Sequence, residues 1–133
     1  TVVKVRNIEI INDSKATNVN SSWYALETMT KPIIWIAGGI DKGNDYTVME
    51  QLVKKKVRGM ICLGVDNTKL HSAFGKMVDI MVNVTNMNDA VRMAYQLGNP
   101  GDCVLISPAC ASFDLFENYE DRGKKFREAV VQL

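Results

Sequence analysis

The sequence predicts an α/β domain: a mostly parallel β-sheet with helices on both faces and an N-terminal β-hairpin as an antiparallel edge. Three observations predict it. Short apolar runs alternate with helix-patterned segments four or five times along 133 residues. The runs are continuously apolar rather than alternating, as in strands buried on both sides, and the short connections suit right-handed crossovers through helices. Three loops rich in small polar residues each follow a strand, where open α/β sheets bind their ligands.

In chain order, Val2 to Val5 and Ile8 to Ile11 flank Arg6-Asn7 and read as a hairpin or bent strand pair. A polar loop, Asn12 to Asn18, leads into a helix over Val19 to Met29 with Trp23 and Leu26 at helical spacing. After Pro32, Ile33 to Ala37 is a buried strand that opens into the glycine-rich loop Gly38 to Asp45. A helix is expected over Tyr46 to Val57, with Lys54, Lys55, Lys56 and Arg58 as a solvated basic end and Gly59 as its C-cap. Met60 to Leu63 is the next strand, and Asn67 or Thr68 caps a short helix to Phe74 that carries His71, the single histidine. Nothing near His71 in sequence supplies a triad or metal partner.

Val78 to Val84 is a strand and Asn86 to Leu97 an amphipathic helix ending at Gly98. The turn Asn99-Pro100-Gly101 precedes the last strand, Asp102 to Ile106. That strand opens into the loop Ser107 to Asp114. Leu115 to Leu133 is helical, with Arg122-Gly123 as a kink or break.

Composition excludes several classes. The chain has the size of one domain, is 47% hydrophobic, and balances 16 Lys and Arg against 15 Asp and Glu. It can fill a core, and its charge supplies no argument for nucleic acid or an anionic membrane surface. No apolar run approaches the ~20 residues of a membrane span. Cys62, Cys103 and Cys110 are odd in number without CxxC spacing, which suits a reducing cytoplasm. The sequence begins at Thr1 inside a β-like run, as expected of a piece excised from a longer protein.

The three loops carry the candidate chemistry. Lys15 and Lys42 bring two cations; Ser14, Thr17, Ser107 and Ser112 bring hydroxyls; Asp13 can accept from a hydroxyl or an ammonium group. With the unpaired N–H groups of helix starts, this set suits a small ligand bearing carboxylates or phosphates. Capping alone accounts equally well for the Asn12 to Asn18 stretch. Turn chemistry is the plain alternative for Gly38-Gly39 and Ser107-Pro108-Ala109, but three such loops on one edge weaken that alternative. Neither GxxxxGK[ST] nor GxGxxG is present, and no carboxylate pair or Cys/His pair is placed for catalysis.

These loops resemble one family. Asn12-Asp13-Ser14-Lys15-Ala16-Thr17-Asn18, Gly38-Gly39-Ile40-Asp41-Lys42-Gly43, Ser107-Pro108-Ala109-Cys110-Ala111-Ser112-Phe113-Asp114 and Asn118-Tyr119-Glu120-Asp121-Arg122-Gly123, in this order, resemble the C-terminal domain of the Mur ligases, most of all members that add D-glutamate. The resemblance implies a Rossmann-like fold. It makes residues 1–133 a single C-terminal, amino-acid-binding domain of a three-domain enzyme, without the UDP-sugar and central ATPase domains. It implies ATP-dependent amide-bond formation through an acyl phosphate in peptidoglycan precursor synthesis, with ATP and Mg2+ used by the full-length enzyme. The substrates are D-glutamate, ATP and UDP-N-acetylmuramoyl-L-alanine.

Carried over by motif, Lys15, Thr17 and Lys42 hold D-glutamate carboxylates, and Ser112, Phe113 and Tyr119 contact its side chain. Asp13 holds the ATP ribose, with Asn12 beside it in the nucleotide site. No catalytic residue and no metal ligand falls in this domain, which is expected to be inactive alone. The alternatives are a folylpolyglutamate-type ligase, which shares the domain plan, a non-catalytic nucleotide-binding module, and an interaction domain whose loops are only caps.

Overall fold

A computed structural model describes residues 7–13, 18–38, 46–107 and 115–133, and 2–5 as backbone. Among the described residues, six strands form one sheet: β1 (Val2–Val5), β2 (Ile8–Asn12), β3 (Ile33–Ala37), β4 (Val57–Leu63), β5 (Ile80–Val84) and β6 (Cys103–Ile106). Their spatial order is β1-β2-β6-β3-β4-β5. β1 pairs antiparallel with β2, and the other pairings are parallel. Asn7 lies in the turn between β1 and β2 with φ 66°, a left-handed conformation that asparagine tolerates.

Among the described residues, five helices alternate with the strands: α1 (Val19–Thr28), α2 (Glu50–Lys56, preceded by a 3-10 turn), α3 (Thr68–Phe74), α4 (Met87–Leu97) and α5 (Tyr119–Val131). They divide between the two faces of the sheet. Leu26 of α1, Leu52 and Val53 of α2, and Leu70 and Phe74 of α3 pack with Ile33, Trp35, Ala37, Met60, Cys62 and Leu105. On the opposite face, α4 (Ala90, Val91, Ala94) and α5 (Phe126, Ala129, Val130) pack with Ile34, Ile36, Ile61, Leu63, Val104 and Ile106. Covered on both sides, β3 is buried at all five positions, which is why it is apolar without alternation. The rings of Trp35 and Tyr46 each meet Phe74 edge-on, at 5.6 and 5.5 Å between centroids.

Several boundaries differ from the sequence expectation: α5 begins at Tyr119 rather than Leu115, the helix expected over Tyr46 to Val57 is a 3-10 turn followed by α2, and three further differences have visible causes. Gly59 is not a helix cap but the third residue of β4, which starts at Val57 directly after α2. A Cβ there would meet Ile34 Cδ1 at 3.2 Å, beside the register shift between Ile33 and Ile34. Close strand packing explains this glycine. Arg122-Gly123 is not a break either: α5 runs unbroken from Tyr119, because both residues face the core and Gly123 O accepts from Asn12 Nδ2 at 3.2 Å. Finally, β5 starts at Ile80 rather than Val78, after Asp79 N donates to Arg58 O at 3.0 Å.

The basic run is not simply a solvated end. Lys56 Nζ donates to Leu26 O, Glu27 O and Met29 O at 3.1, 2.8 and 2.9 Å, closing the C-terminus of α1. Arg58 reaches Leu97 O and pairs with the buried Asp102 at 2.9 Å. Its position thereby ties β4 to the turn before β6. No described helix is long and apolar enough to cross a membrane.

Candidate functional site

The carboxyl ends of β2, β6 and β3 lie side by side, with Asn12 opposite Ile106 and Ile106 opposite Ile36. The three polar loops leave from these three ends. The chain after β6 goes to α5 on one face, whereas the chains after β2 and β3 go to α1 and α2 on the other. Neighbouring strands whose connections diverge to opposite faces open a crevice between them, the usual ligand position in such sheets.

The roots of the loops are tied together by named bonds. Ser107, fully buried at the end of β6, is a four-way junction. Its N–H donates to Ile36 O at 3.2 Å, and its carbonyl accepts from Trp35 Nε1 at 2.7 Å and Ser22 Oγ at 3.0 Å. Its hydroxyl lies 2.8 Å from both Asp13 Oδ2 and Ser22 Oγ. Asp13 N donates to Ile106 O at 2.7 Å. The start of α5 is drawn into the same place, since Asn12 binds Gly123 O and the buried Arg122 donates to Gly38 O at 3.3 Å.

Gly38 itself has φ +135°, and a Cβ would stand 2.3 Å from Leu63 O. Only glycine lets the chain leave β3 along this path.

Burial raises the Asp13 carboxyl above its ordinary value, and the Ser107 hydroxyl opposes that shift by bonding to the ionised form. Burial also pushes the thiols up, Cys62 to about 12 and Cys103 to about 11, so both stay protonated and unreactive near neutrality.

Of the residues singled out in the sequence, Asn12 and Asp13 stand at the end of β2, and Tyr119 is the first residue of α5, half-buried. Asn12 and the first turn of α5 are in contact through Gly123. Lys15, Thr17, Lys42, Ser112 and Phe113 lie outside the described residues. Sequence reasoning missed Ser22, Trp35 and Arg122 as supports of this region. Ser22 had left a signal: it shares a helical face with Val19 and Leu26, so a hydroxyl sits in an apolar stripe.

Two other concavities lie away from this crevice. One, of about 660 Å3, opens at the ends of β4 and β5, where His71 Nε2 meets Asn83 Oδ1 at 2.6 Å. The other, of about 620 Å3, lies near the amino end of the sheet among Lys31, Lys54, Lys55, Lys56 and Arg58. Among the described residues, no three His, Cys, Asp or Glu side chains group to hold a metal ion.

Comparison with known proteins places the fold and the family. The chain is 61% identical to UDP-N-acetylmuramoylalanine--D-glutamate ligase of Christiangramia forsetii, covering 99% of the chain and 30% of that protein. It is 55% identical to the enzyme of the same name from Porphyromonas gingivalis, covering 99% of the chain and 29% of that protein. The chain therefore spans less than a third of the length of these curated relatives. The MurF ligase from Thermotoga maritima, solved with ADP, shares the fold at a TM-score of 0.57 and 13% identity, over 99% of this chain and 30% of that one. The family model described as "Mur ligase, glutamate ligase domain" matches residues 1–110. Joined to the high identity over nearly its whole length, that match establishes that the chain belongs to the Mur ligase glutamate ligase domain family.

Proposed function

We propose that residues 1–133 form the C-terminal, amino-acid-binding domain of a three-domain, cytoplasmic ligase that adds D-glutamate to UDP-N-acetylmuramoyl-L-alanine. The observation that carries this reading is the high identity, over nearly the whole chain, to relatives bearing that ligase name. The crevice at the ends of β2, β6 and β3 supports it. In this reading Lys15, Thr17 and Lys42 hold the carboxylates of D-glutamate, and Ser112, Phe113 and Tyr119 contact its side chain. Two ammonium groups match a dicarboxylate.

ATP phosphorylates the carboxylate of the UDP-linked substrate. The amine of D-glutamate then attacks the acyl carbon, the C–N bond forms, phosphate departs and the amine loses a proton. This domain's share is to hold the nucleophile in line, a positioning contribution that removes much of the entropic barrier. Asp13, with Asn12 beside it, receives the ribose hydroxyls of ATP at the edge of the same crevice. The described residues do not by themselves fit a Mg2+ site, and no step here is routed through the ion.

The test uses the full-length ligase. Lys42→Ala is expected to raise KM for D-glutamate by tenfold or more, on the scale of about 1.5–3 kcal/mol for a lost charged hydrogen bond, with KM for ATP unchanged. An unaltered KM for D-glutamate removes Lys42 from the site. ATP consumption without the UDP-linked acceptor or D-glutamate sinks the reading as a whole.

A further inference from the structure

We propose that Ser22 and Ser107 form a two-hydroxyl relay that positions the Asp13 carboxylate for the nucleotide, making both serines determinants of ATP affinity that never touch ATP. The inference deepens the functional reading above and rests on its placement of Asp13 at the ribose.

The argument starts from the two hydroxyls. Both serines are fully buried, at 0% exposure, and burying a hydroxyl costs free energy unless it is paired. Here the pairing forms a directed chain. With Asp13 ionised, the Ser107 proton goes to Asp13 Oδ2 at 2.8 Å. Ser22 has one proton and two acceptors within reach, Ser107 O at 3.0 Å and Ser107 Oγ at 2.8 Å. Once the Ser107 proton is on Asp13, the close oxygen–oxygen contact draws the Ser22 proton from the carbonyl to Ser107 Oγ. The Ser107 carbonyl remains satisfied by Trp35 Nε1. Each hydroxyl in such a chain polarises the next, so Ser22 strengthens the bond that Ser107 makes to the carboxylate.

The relay is also rigid. Ser107 N–H and C=O are fixed to β3 through Ile36 and Trp35, leaving rotation about χ1 as its freedom. Ser22 sits on α1 with its side chain packed inward. Asp13 is therefore placed from the centre of the sheet rather than by the loop that follows it. A group that must meet a ligand within tenths of an ångström is usually supported in this way.

The experiment compares Asp13→Ala, Ser107→Ala, Ser22→Ala and the double variant Ser107→Ala/Asp13→Ala in the full-length ligase. Steady-state kinetics are taken with ATP and D-glutamate varied separately. Ser107→Ala is expected to raise KM for ATP about tenfold and Ser22→Ala about threefold, as for loss of one and of part of one charge-assisted hydrogen bond. The same variants keep kcat and KM for D-glutamate within about twofold, and the double variant is no worse than Asp13→Ala alone, because the serines act through that carboxylate.

A uniform loss in kcat and both KM values, or additive effects in the double variant, would show a structural staple and overturn the relay. If Asp13→Ala raises KM for ATP while Ser107→Ala does not, the relay falls and the ribose role of Asp13 stands. If Asp13→Ala leaves KM for ATP unchanged, the ribose role falls and takes the relay with it. Should Ser107→Ala fail to fold, Ser22→Ala decides: an unchanged KM for ATP there overturns the proposal.

Discussion

Asp13 occupies a position where a carboxylate is a burden to the fold. Burial raises its pKa above the ordinary 3.8, so the folded state holds that proton more tightly than the unfolded chain. Stability from this group is full below the unfolded value and is lost as pH rises through the folded one. At neutral pH the ionised group is therefore a net cost. Asp13→Asn, whose amide oxygen can still accept from Ser107, is expected to raise the melting temperature of this chain at pH 7.5. The gain shrinks toward zero as pH approaches 3, where wild-type Asp13 is itself neutral. Thermal melts across that range check it, and a variant less stable at pH 7.5 contradicts it. A charge held against stability suits the nucleotide role proposed for Asp13. Its position at the end of β2 was legible in the sequence, because Ile8, Ile10 and Ile11 stop abruptly there. Its dependence on Ser107 and Ser22 was not, because partners 94 and 85 residues apart leave no local pattern.

Among the elements, α1 shows how one side chain can close a helix. The helix lacks a basic residue in its own last turn and ends without a C-terminal glycine, its next residue being extended Met29. Lys56, at the end of α2, supplies the missing cation and takes three carbonyls. Lys56→Met keeps the aliphatic stem and removes the donors. It is expected to destabilise the chain by about 1–2 kcal/mol in urea titration, as for orphaned helix-end carbonyls that regain water only in part. A change within about 0.3 kcal/mol would deny the cap. In the sequence, three consecutive lysines look like solvated charge, since composition does not reveal which one turns inward. The same limit hid the role of Arg122: Arg-Gly reads as a helix break until Asn12 and Gly38 are seen to bind that turn. Strands were easier. β3 and β6 are apolar at every position because both faces are covered, a property that survives in one dimension.

For the whole molecule, the order β1-β2-β6-β3-β4-β5 matters most. The alternation of strands and helices made a parallel sheet legible, but not which strand lies at its centre, since insertion of a late strand between early ones depends on long-range packing. That order is what brings the ends of β2, β6 and β3 together, and with them the roots of the three loops. It also has a consequence for synthesis. β6 fills the gap between β2 and β3, so a nascent chain lacking it holds two sets of strands with no shared hydrogen bonds. The centre of the sheet can close only when translation has passed residue 106, with four-fifths of the sequence already exposed to solvent or chaperones. A chain stopped before Cys103 is expected to show no cooperative unfolding transition by circular dichroism, and a sharp transition in that truncation would contradict it. Long sequence separations of this kind slow folding, so this domain should close its sheet in one late step after β6 has been made rather than piece by piece.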